Sequence, residues 1–507
     1  MDAKYPPPYS TLAGALLNNI TLGDITTTVN NTIQVSSGQG HGVGIHRHGK
    51  IRSLLQVLQG QLHDYHVGNG SKSRPWATLR VFSNTSTISS SGQKVPCFTS
   101  SDLVQGSLEL NLDSPQNVNS INLSLRGRII TTSYEDGSCT FLDQPIIFWT
   151  RSNGDPRSVS PSIEDNAAPP TSHAAKKFDG KLSGQYSWPF SLSFPKDLPA
   201  WGQGGRMPTP QSFFEREIQA SVQYDLVLRM THGILRSDSK LQVNVEYVPS
   251  VTPAPFSLLR SYAYGENLPS PSPEIDPEGW HALPTASVRG RLFSERMVKL
   301  RSTLFLANPS FARGTIVPCY LSVECPDEQA LDILANPKSL ALRLYRRVEY
   351  YDDGGKCSIS SARAAGNASV NRVHAHITEV ERAIWLASST AGPQGTIRQF
   401  NGEFHLSKEL QPSCEFPLFK VSYHVELLPF DSPVFKLSSS SLDDFSTKEI
   451  PTSESHALLS HPVTITTLKG EGPRPVPFTK AKHRKERKTI SKDYSCSVVP
   501  VTHFQCL

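Results

Sequence analysis

The chain has 507 residues, with 50 Lys and Arg against 45 Asp and Glu, a formal charge of +5. Hydrophobic residues make up 37 % and charged residues 19 %, and proline (39) outnumbers glycine (33). That profile excludes a coiled coil, a collagen and a wholly disordered chain, and fits two or three packed β-rich domains flanked by polar tails. No run of about 18 apolar residues occurs, and the start Met1-Asp2-Ala3-Lys4-Tyr5-Pro6 lacks the apolar stretch of a signal peptide. A cytosolic or nuclear location is the expectation, with the cysteines at 97, 139, 319, 325, 357, 414, 496 and 506 reduced.

Residues 1–75, rich in Thr, Asn, Gly and Ser, read as a mostly disordered tail. Within it Ile51, Leu54, Leu55, Leu58 and Leu62 follow a helical period, weakened by Gly60. From Trp76 the period becomes two. Leu108, Leu110 and Leu112 alternate with Glu109 and Asn111, and Ile121, Leu123 and Leu125 with Asn122 and Ser124, which predicts half-buried strands. Ile146 to Trp149 is a further short strand, with Pro145 at its first edge. Residues 151–180 read as a long polar loop. Strands follow over Tyr186 to Phe194, Ile218 to Met230 and Leu241 to Tyr247, the last two with clean faces of Val222, Tyr224, Leu226, Leu228 and of Leu241, Val243, Val245, Tyr247.

Prolines 269, 271 and 273 mark a semi-rigid linker over 249–283. A second strand-rich region covers 284–432. There Val298, Leu300, Leu304 and Leu306 share parity, as do Leu342, Leu344 and Val348, and Val421, Tyr423, Val425 and Leu427; Asp327 to Leu334 is a short helix. Residues 433–507 return to a disordered tail, Ser-rich at 438–441 and basic near its end. Many strands and almost no helix predict an all-β chain of two tandem sandwich domains, 76–248 and 284–432.

The order of these segments resembles the arrestin family, in its fungal α-arrestin branch of trafficking adaptors. Gly106-Ser-Leu-Glu-Leu-Asn-Leu112, Pro115 and Val118-Asn-Ser-Ile-Asn-Leu-Ser-Leu-Arg-Gly127 are similar to the family's opening strands. Leu182-Ser-Gly184-Gln-Tyr186-Ser-Trp188-Pro-Phe190 and Phe194-Pro195-Lys-Asp-Leu198-Pro199 are similar to its central Pro-Phe strand and Leu-Pro turn. Pro309, Ala312-Arg-Gly314 and Ile316-Val-Pro318 resemble the start of its C-terminal domain. The resemblance covers about residues 76–432 and implies two immunoglobulin-like β-sandwiches in an arrestin fold. It also implies a cytoplasmic adaptor, peripheral to the plasma membrane or endosomes. Such adaptors carry out no chemistry and need no cofactor. They hold a membrane transporter or receptor as cargo and recruit a HECT-type ubiquitin ligase, so that the cargo is ubiquitinated and internalised. The alternative within the fold is a signalling or sorting scaffold without ligase recruitment.

Pro6-Pro7-Pro8-Tyr9 is a Pro-Pro-x-Tyr motif. Consecutive prolines pre-set a polyproline II helix, so Pro6 and Pro7 can pack on the aromatic groove of a WW domain at small entropic cost while Tyr9 fills a second pocket. Random sequence of this composition yields about 0.09 such matches. Members of the resembling family often carry two or more such motifs in the C-terminal tail; this chain has one, near residue 1, without the avidity of tandem sites.

Between Lys480 and Lys492 lie seven Lys or Arg and one Glu, a local +6 that leaves −1 for the rest. A neutral body argues against a nucleic-acid-binding core. Lys480, Lys482, Arg484, Lys485, Arg487 and Lys488 are candidates for contact with anionic lipid; a solvated tail and a nuclear localisation signal are the competing readings. Ser438 to Ser441 precede Asp443 and Asp444 and are candidates for phosphorylation, against a plain Ser-rich linker.

Catalytic signatures are sparse: no Gly-x-Ser-x-Gly, no phosphate loop and no His-Glu-x-x-His occurs, and no catalytic or metal-ligating set is expected. His374 and His376 beside Glu379 and Glu381 would share a strand face, but without an evident third ligand exposed strand histidines are the simpler reading. His41, His46 and His48 lie in a Gly-rich stretch that reads as a flexible linker. A sandwich enzyme would instead need paired carboxylates in a cleft.

Overall fold

The computed structural model describes residues 60–67, 75–88, 92–100, 102–131, 138–157, 178–200, 205–233, 236–352, 372–387, 395–438 and 457–480. In the first half the strands are β1 (Gln61–Val67), β2 (Ala77–Ser83), β3 (Thr85–Ile88), β4 (Lys94–Thr99), β5 (Leu103–Gln116), β6 (Val118–Ile130), β7 (Ser138–Thr150), β8 (Leu182–Ser193), β9 (Asp197–Pro199), β10 (Arg206–Pro208), β11 (Phe213–Phe214), β12 (Ser221–His232) and β13 (Ser239–Val248). One sheet has the order β1-β2-β5-β8 and faces a second of order β3-β4-β13-β12-β6-β7, with β11 added on β12. Aromatic rings bridge the layers: Phe148 of β7 meets Phe190 of β8 at 6.0 Å.

The period-two reading places the core. Leu108, Leu110 and Leu112 on β5, Ile121, Leu123 and Leu125 on β6, and Val222, Tyr224, Leu226 and Leu228 on β12 are all buried. In β6 the inward series is interrupted by Gly127, where a Cβ would stand 2.6 Å from the Phe141 ring and 2.9 Å from that of Tyr224. The glycine lets those two rings meet edge to face, 5.6 Å apart, over the bare backbone. Pro145 sits inside β7 rather than at its edge, opposite Ser124. β7 is the last strand of its sheet, so the missing N–H interrupts no ladder.

The second half has β14 (His281–Ala282), β15 (Ala286–Leu292), β16 (Arg296–Leu306), β17 (Ser310–Ala312), β18 (Ile316–Glu324), β19 (Leu342–Asp352), β20 (Arg372–Arg382), β21 (Ile384–Ala387), β22 (Ile397–His405), β23 (Cys414–Phe416), β24 (Phe419–Leu427), β25 (Phe435–Leu437) and β26 (Leu459–Thr466). Here β21-β22-β18-β16-β15-β25 faces β17-β26-β24-β19-β20, with β14 on β16 and β23 on β24. The apolar positions of β16, β19 and β24 expected to share parity are buried. The chain is thus all-β, built as two sandwiches that belong to one compact unit with a continuous buried core.

Several boundaries differ from the sequence reading. β1 lies within the expected N-terminal tail and pairs along its whole length with β2; Leu62, assigned to a helical period, is a strand residue opposite Phe82. The rest of that period, Ile51 to Leu58, lies outside the described residues. The expected C-terminal tail supplies β25 and β26, and β26 lies between β17 and β24 inside a sheet. These strands were hidden because each is set in polar sequence; what stabilises them is the exposed edge or gap that neighbouring strands offer. The helix expected from Asp327 is present as α2 (Glu328–Leu334), its first turn capped by the Asp327 carboxylate accepting from Ala330 N at 3.1 Å. A preceding helix, α1 (Leu258–Gly265), lies in the linker and was not legible in the sequence. Cys97, Cys319, Cys325 and Cys414 are free thiols, as expected, but Cys139 is disulfide-bonded, which corrects the expectation that all the cysteines are reduced.

Candidate functional site: seam, linker and tail anchor

The sandwiches meet through two corresponding corners. In the first, Tyr224 on β12 donates its hydroxyl to Pro210 O at 2.5 Å; in the second, Tyr423 on β24 donates to Gln411 O, also at 2.5 Å. Each bond pins the strand-entry segment just upstream, and the two pinned segments touch: Gln211 donates from Nε2 to Gln411 Oε1. Around this pair Phe141 meets Phe416 at 5.1 Å and Phe213 meets Phe419 at 4.8 Å. Beside them the Arg346 guanidinium on β19 forms a two-pronged pair with Glu215, Nη1 to Oε1 at 2.5 Å and Nη2 to Oε2 at 2.8 Å. Burial works against the Arg346 charge, but the hydrogen bonds and charge of Glu215 outweigh it and raise its pKa. The seam therefore combines aromatic contact with one oriented ion pair.

The linker is a folded element. Ser257 caps α1, accepting from Arg260 N at 3.2 Å, and donates its hydroxyl to Asp276 Oδ2 at 2.8 Å. Arg260 is wholly buried, with Nη1 donating to Gly279 O and to Ala307 O (2.9 Å), Nη2 3.6 Å from Asp276, and the guanidinium stacked 4.5 Å above the Trp280 ring. Because Ala307 follows β16, this cluster ties the linker to the second sandwich. The sequence hint was faint: a lone Arg in an apolar turn, Leu258-Leu259-Arg260.

Beyond β26 the chain stays on the body through Thr467, whose hydroxyl donates to Pro249 O at 2.5 Å, and reaches β22. There the buried Glu403 carboxylate accepts Thr479 N at 2.7 Å, Phe478 N at 3.3 Å and the Thr479 hydroxyl. His405 Nε2 stands 3.0 Å from Glu403 Oε1 and 2.8 Å from Thr479 Oγ1. This anchor fixes the point from which the basic run departs. Lys480, the first lysine of that run, is exposed immediately after it. Lys482, Arg484, Lys485, Arg487 and Lys488 lie outside the described residues, as do Pro6, Pro7 and Tyr9 and the histidines 41, 46 and 48. Lys480 is thus the one sequence-predicted contact residue among the described residues.

The strand histidines have other company. His374 stacks on the Tyr350 ring at 5.0 Å, and His376 Nδ1 lies 3.3 Å from Thr378 Oγ1. Glu379 is engaged by Arg343 at 3.1 Å and by Arg382. Among the described residues no group of three His, Cys, Asp or Glu is placed to hold a metal ion. Likewise, no helix among them is long and apolar enough to cross a membrane. In comparisons with models of known protein families and with curated proteins, nothing matches this chain.

Proposed function

We propose that this chain is a non-enzymatic adaptor of the arrestin type. In this reading it links membrane-protein cargo to a WW-domain ubiquitin ligase of the HECT class at the cytoplasmic face of the plasma membrane or endosomes. The observation that carries the reading is Pro6-Pro7-Pro8-Tyr9, the one motif in the chain with its own binding mechanism. Two sandwiches joined by a specific seam and a folded linker support it, because an adaptor needs a scaffold that holds broad surfaces in a defined relation. Fold alone does not establish function, so the motif is the part to test.

The test is a titration of WW domains from a HECT ligase with a labelled peptide of residues 1–20 and with its Tyr9→Ala form, followed by capture of the full chain. Saturable binding lost in Tyr9→Ala supports the adaptor. Equal or absent binding for both removes the ligase link and leaves a signalling or sorting scaffold.

A further inference from the structure

The linker helix α1 buries its charge and exposes its leucines. Arg260, Ala263 and Tyr264 form its buried face, whereas Leu258 is 90 % exposed, Leu259 52 % and Tyr262 67 %. Leu258 and Tyr262 are four positions apart and Leu259 and Tyr262 three, so these side chains lie together on the face away from the body. A surface helix packed for stability alone has the reverse pattern, with its apolar stripe inward and its charges in water. A contiguous apolar group on a folded surface marks a place of contact.

The inner face holds this ridge in place. Besides the contacts of Arg260 with Gly279, Ala307 and the Trp280 ring, the Tyr264 hydroxyl lies 2.8 Å from Ser270 Oγ and its ring 5.2 Å from Phe256. Trp280 Nε1 donates to Pro271 O at 2.8 Å. Asn267, with a φ of 56°, ends the helix, and Leu268 N returns to Ala263 O at 2.7 Å. The backbone beneath Leu258, Leu259 and Tyr262 is thus ordered in advance, which lowers the entropic cost of binding through them.

The charge around the ridge has one sign. Over residues 249–283 the Asp, Glu, Lys and Arg residues are Arg260, Glu266, Glu274, Asp276 and Glu278. Arg260 and Asp276 are buried against each other, so the exposed charges are the three glutamates. Glu274 accepts from the neutral Gln399 amide at 3.2 Å, and among the described residues no cation pairs with Glu266, Glu274 or Glu278. We propose that α1 is a docking ridge for a helix of a partner protein that carries an apolar stripe flanked by Lys or Arg. Leu258, Leu259 and Tyr262 pack on the stripe, and the three carboxylates meet the flanking cations. The same carboxylates repel an anionic bilayer and the α1 of a second copy. A ridge of two turns buries little area, so the contact is weak and transient. This site adds a partner to the adaptor reading and does not depend on Pro6, Pro7 or Tyr9.

The test is a titration of the full chain with a labelled amphipathic peptide of Leu and Lys, about 18 residues long so that it forms a helix, with Leu at i, i+3, i+4 and i+7. A second peptide has Glu in place of Lys. The wild-type chain is expected to bind the Leu/Lys peptide with micromolar affinity, more weakly as salt is raised, and to leave the Leu/Glu peptide free. Leu258→Ser with Tyr262→Ser should weaken binding by at least roughly tenfold. Glu266→Gln, Glu274→Gln and Glu278→Gln together should weaken it several-fold and flatten its salt dependence; this triple variant decides the matter if the first does not fold. Overturning results are no saturable binding by the wild type, equal binding of the two peptides, or undiminished binding in both variants. Two further results overturn it: a wild-type oligomer that Leu258→Ser with Tyr262→Ser dissociates, which assigns the ridge to a second copy, and sedimentation with phosphatidylcholine vesicles that the same variant abolishes, which assigns it to lipid.

Discussion

Glu215 and Arg346, 131 residues apart in the chain, close the seam between the two sandwiches through two parallel hydrogen bonds of 2.5 and 2.8 Å. The Arg346 side chain is 8 % exposed and that of Glu215 28 %, so the pair is shielded on the arginine side and wet on the other. Removing only the carboxylate would strand a buried guanidinium. Glu215→Ala is therefore expected to cost about 2–3 kcal/mol, less than for a fully buried pair because water reaches Glu215. Arg346→Met with Glu215→Ala should recover part of that loss. Urea unfolding of both single variants and the double variant measures the coupling, and a value near zero would mean that the aromatic contacts alone hold the seam.

The paired tyrosine corners make a second expectation. Tyr224→Phe and Tyr423→Phe each remove one hydroxyl and leave a carbonyl, on Pro210 or Gln411, without that donor. Each should destabilise by about 1–2 kcal/mol. Because both corners feed the Gln211–Gln411 contact, the two losses should be non-additive in a double-mutant cycle. Strict additivity would show that the corners act independently.

The stability of the protein should fall at alkaline pH. Burial pushes the Cys97 thiol up to about 11, the Cys414 thiol and the Tyr65 phenol each to about 12, and the Tyr224 phenol well above its usual range. In the unfolded chain these groups lose their protons near 9 for thiols and 10 for phenols. Above those values the native state binds more protons than the unfolded one, so the contribution is complete below about pH 9 and declines as pH rises toward the folded values. Thermal midpoints measured from pH 7 to 11 should decrease steadily above about pH 9; a flat profile would contradict this burial.

Glu403 should control the path of the chain after β26. Glu403→Ala removes the acceptor for Phe478 N and Thr479 N and for the Thr479 hydroxyl. Amides 478 and 479 should then exchange faster by one to two orders of magnitude, equivalent to about 1.5–3 kcal/mol of lost local protection. Limited trypsin digestion should cut after Lys480, next to the released Thr479, sooner than in the wild type. Unchanged exchange at both amides would show that the segment is held by other contacts.

How much could be read in advance depended on whether the information was local. The parity of Val222, Tyr224, Leu226 and Leu228, or of Val421, Tyr423, Val425 and Leu427, is a property of a few adjacent residues, and every one of these side chains is buried. The short helix beginning near Asp327 was legible for the same reason. Arg346 left a trace that could have been used: it occupies the inward parity between Leu344 and Val348, where a cation needs a partner. Nothing near it in sequence indicated Glu215. Neither candidate contact set, Pro6, Pro7 and Tyr9 or Lys482 to Lys488, falls among the described residues, so both stand on sequence chemistry alone.

By itself the sequence determined the fold class and most of the core, because alternation of apolar and polar residues dictates which face of a strand must leave water. Tertiary structure decided which segments close the sheets and how the two halves are joined. β1, β25 and β26 lie in polar sequence, and they become strands because specific neighbours offer them hydrogen bonds and apolar cover. Gln211 and Gln411, 200 residues apart, meet only after both sandwiches have formed.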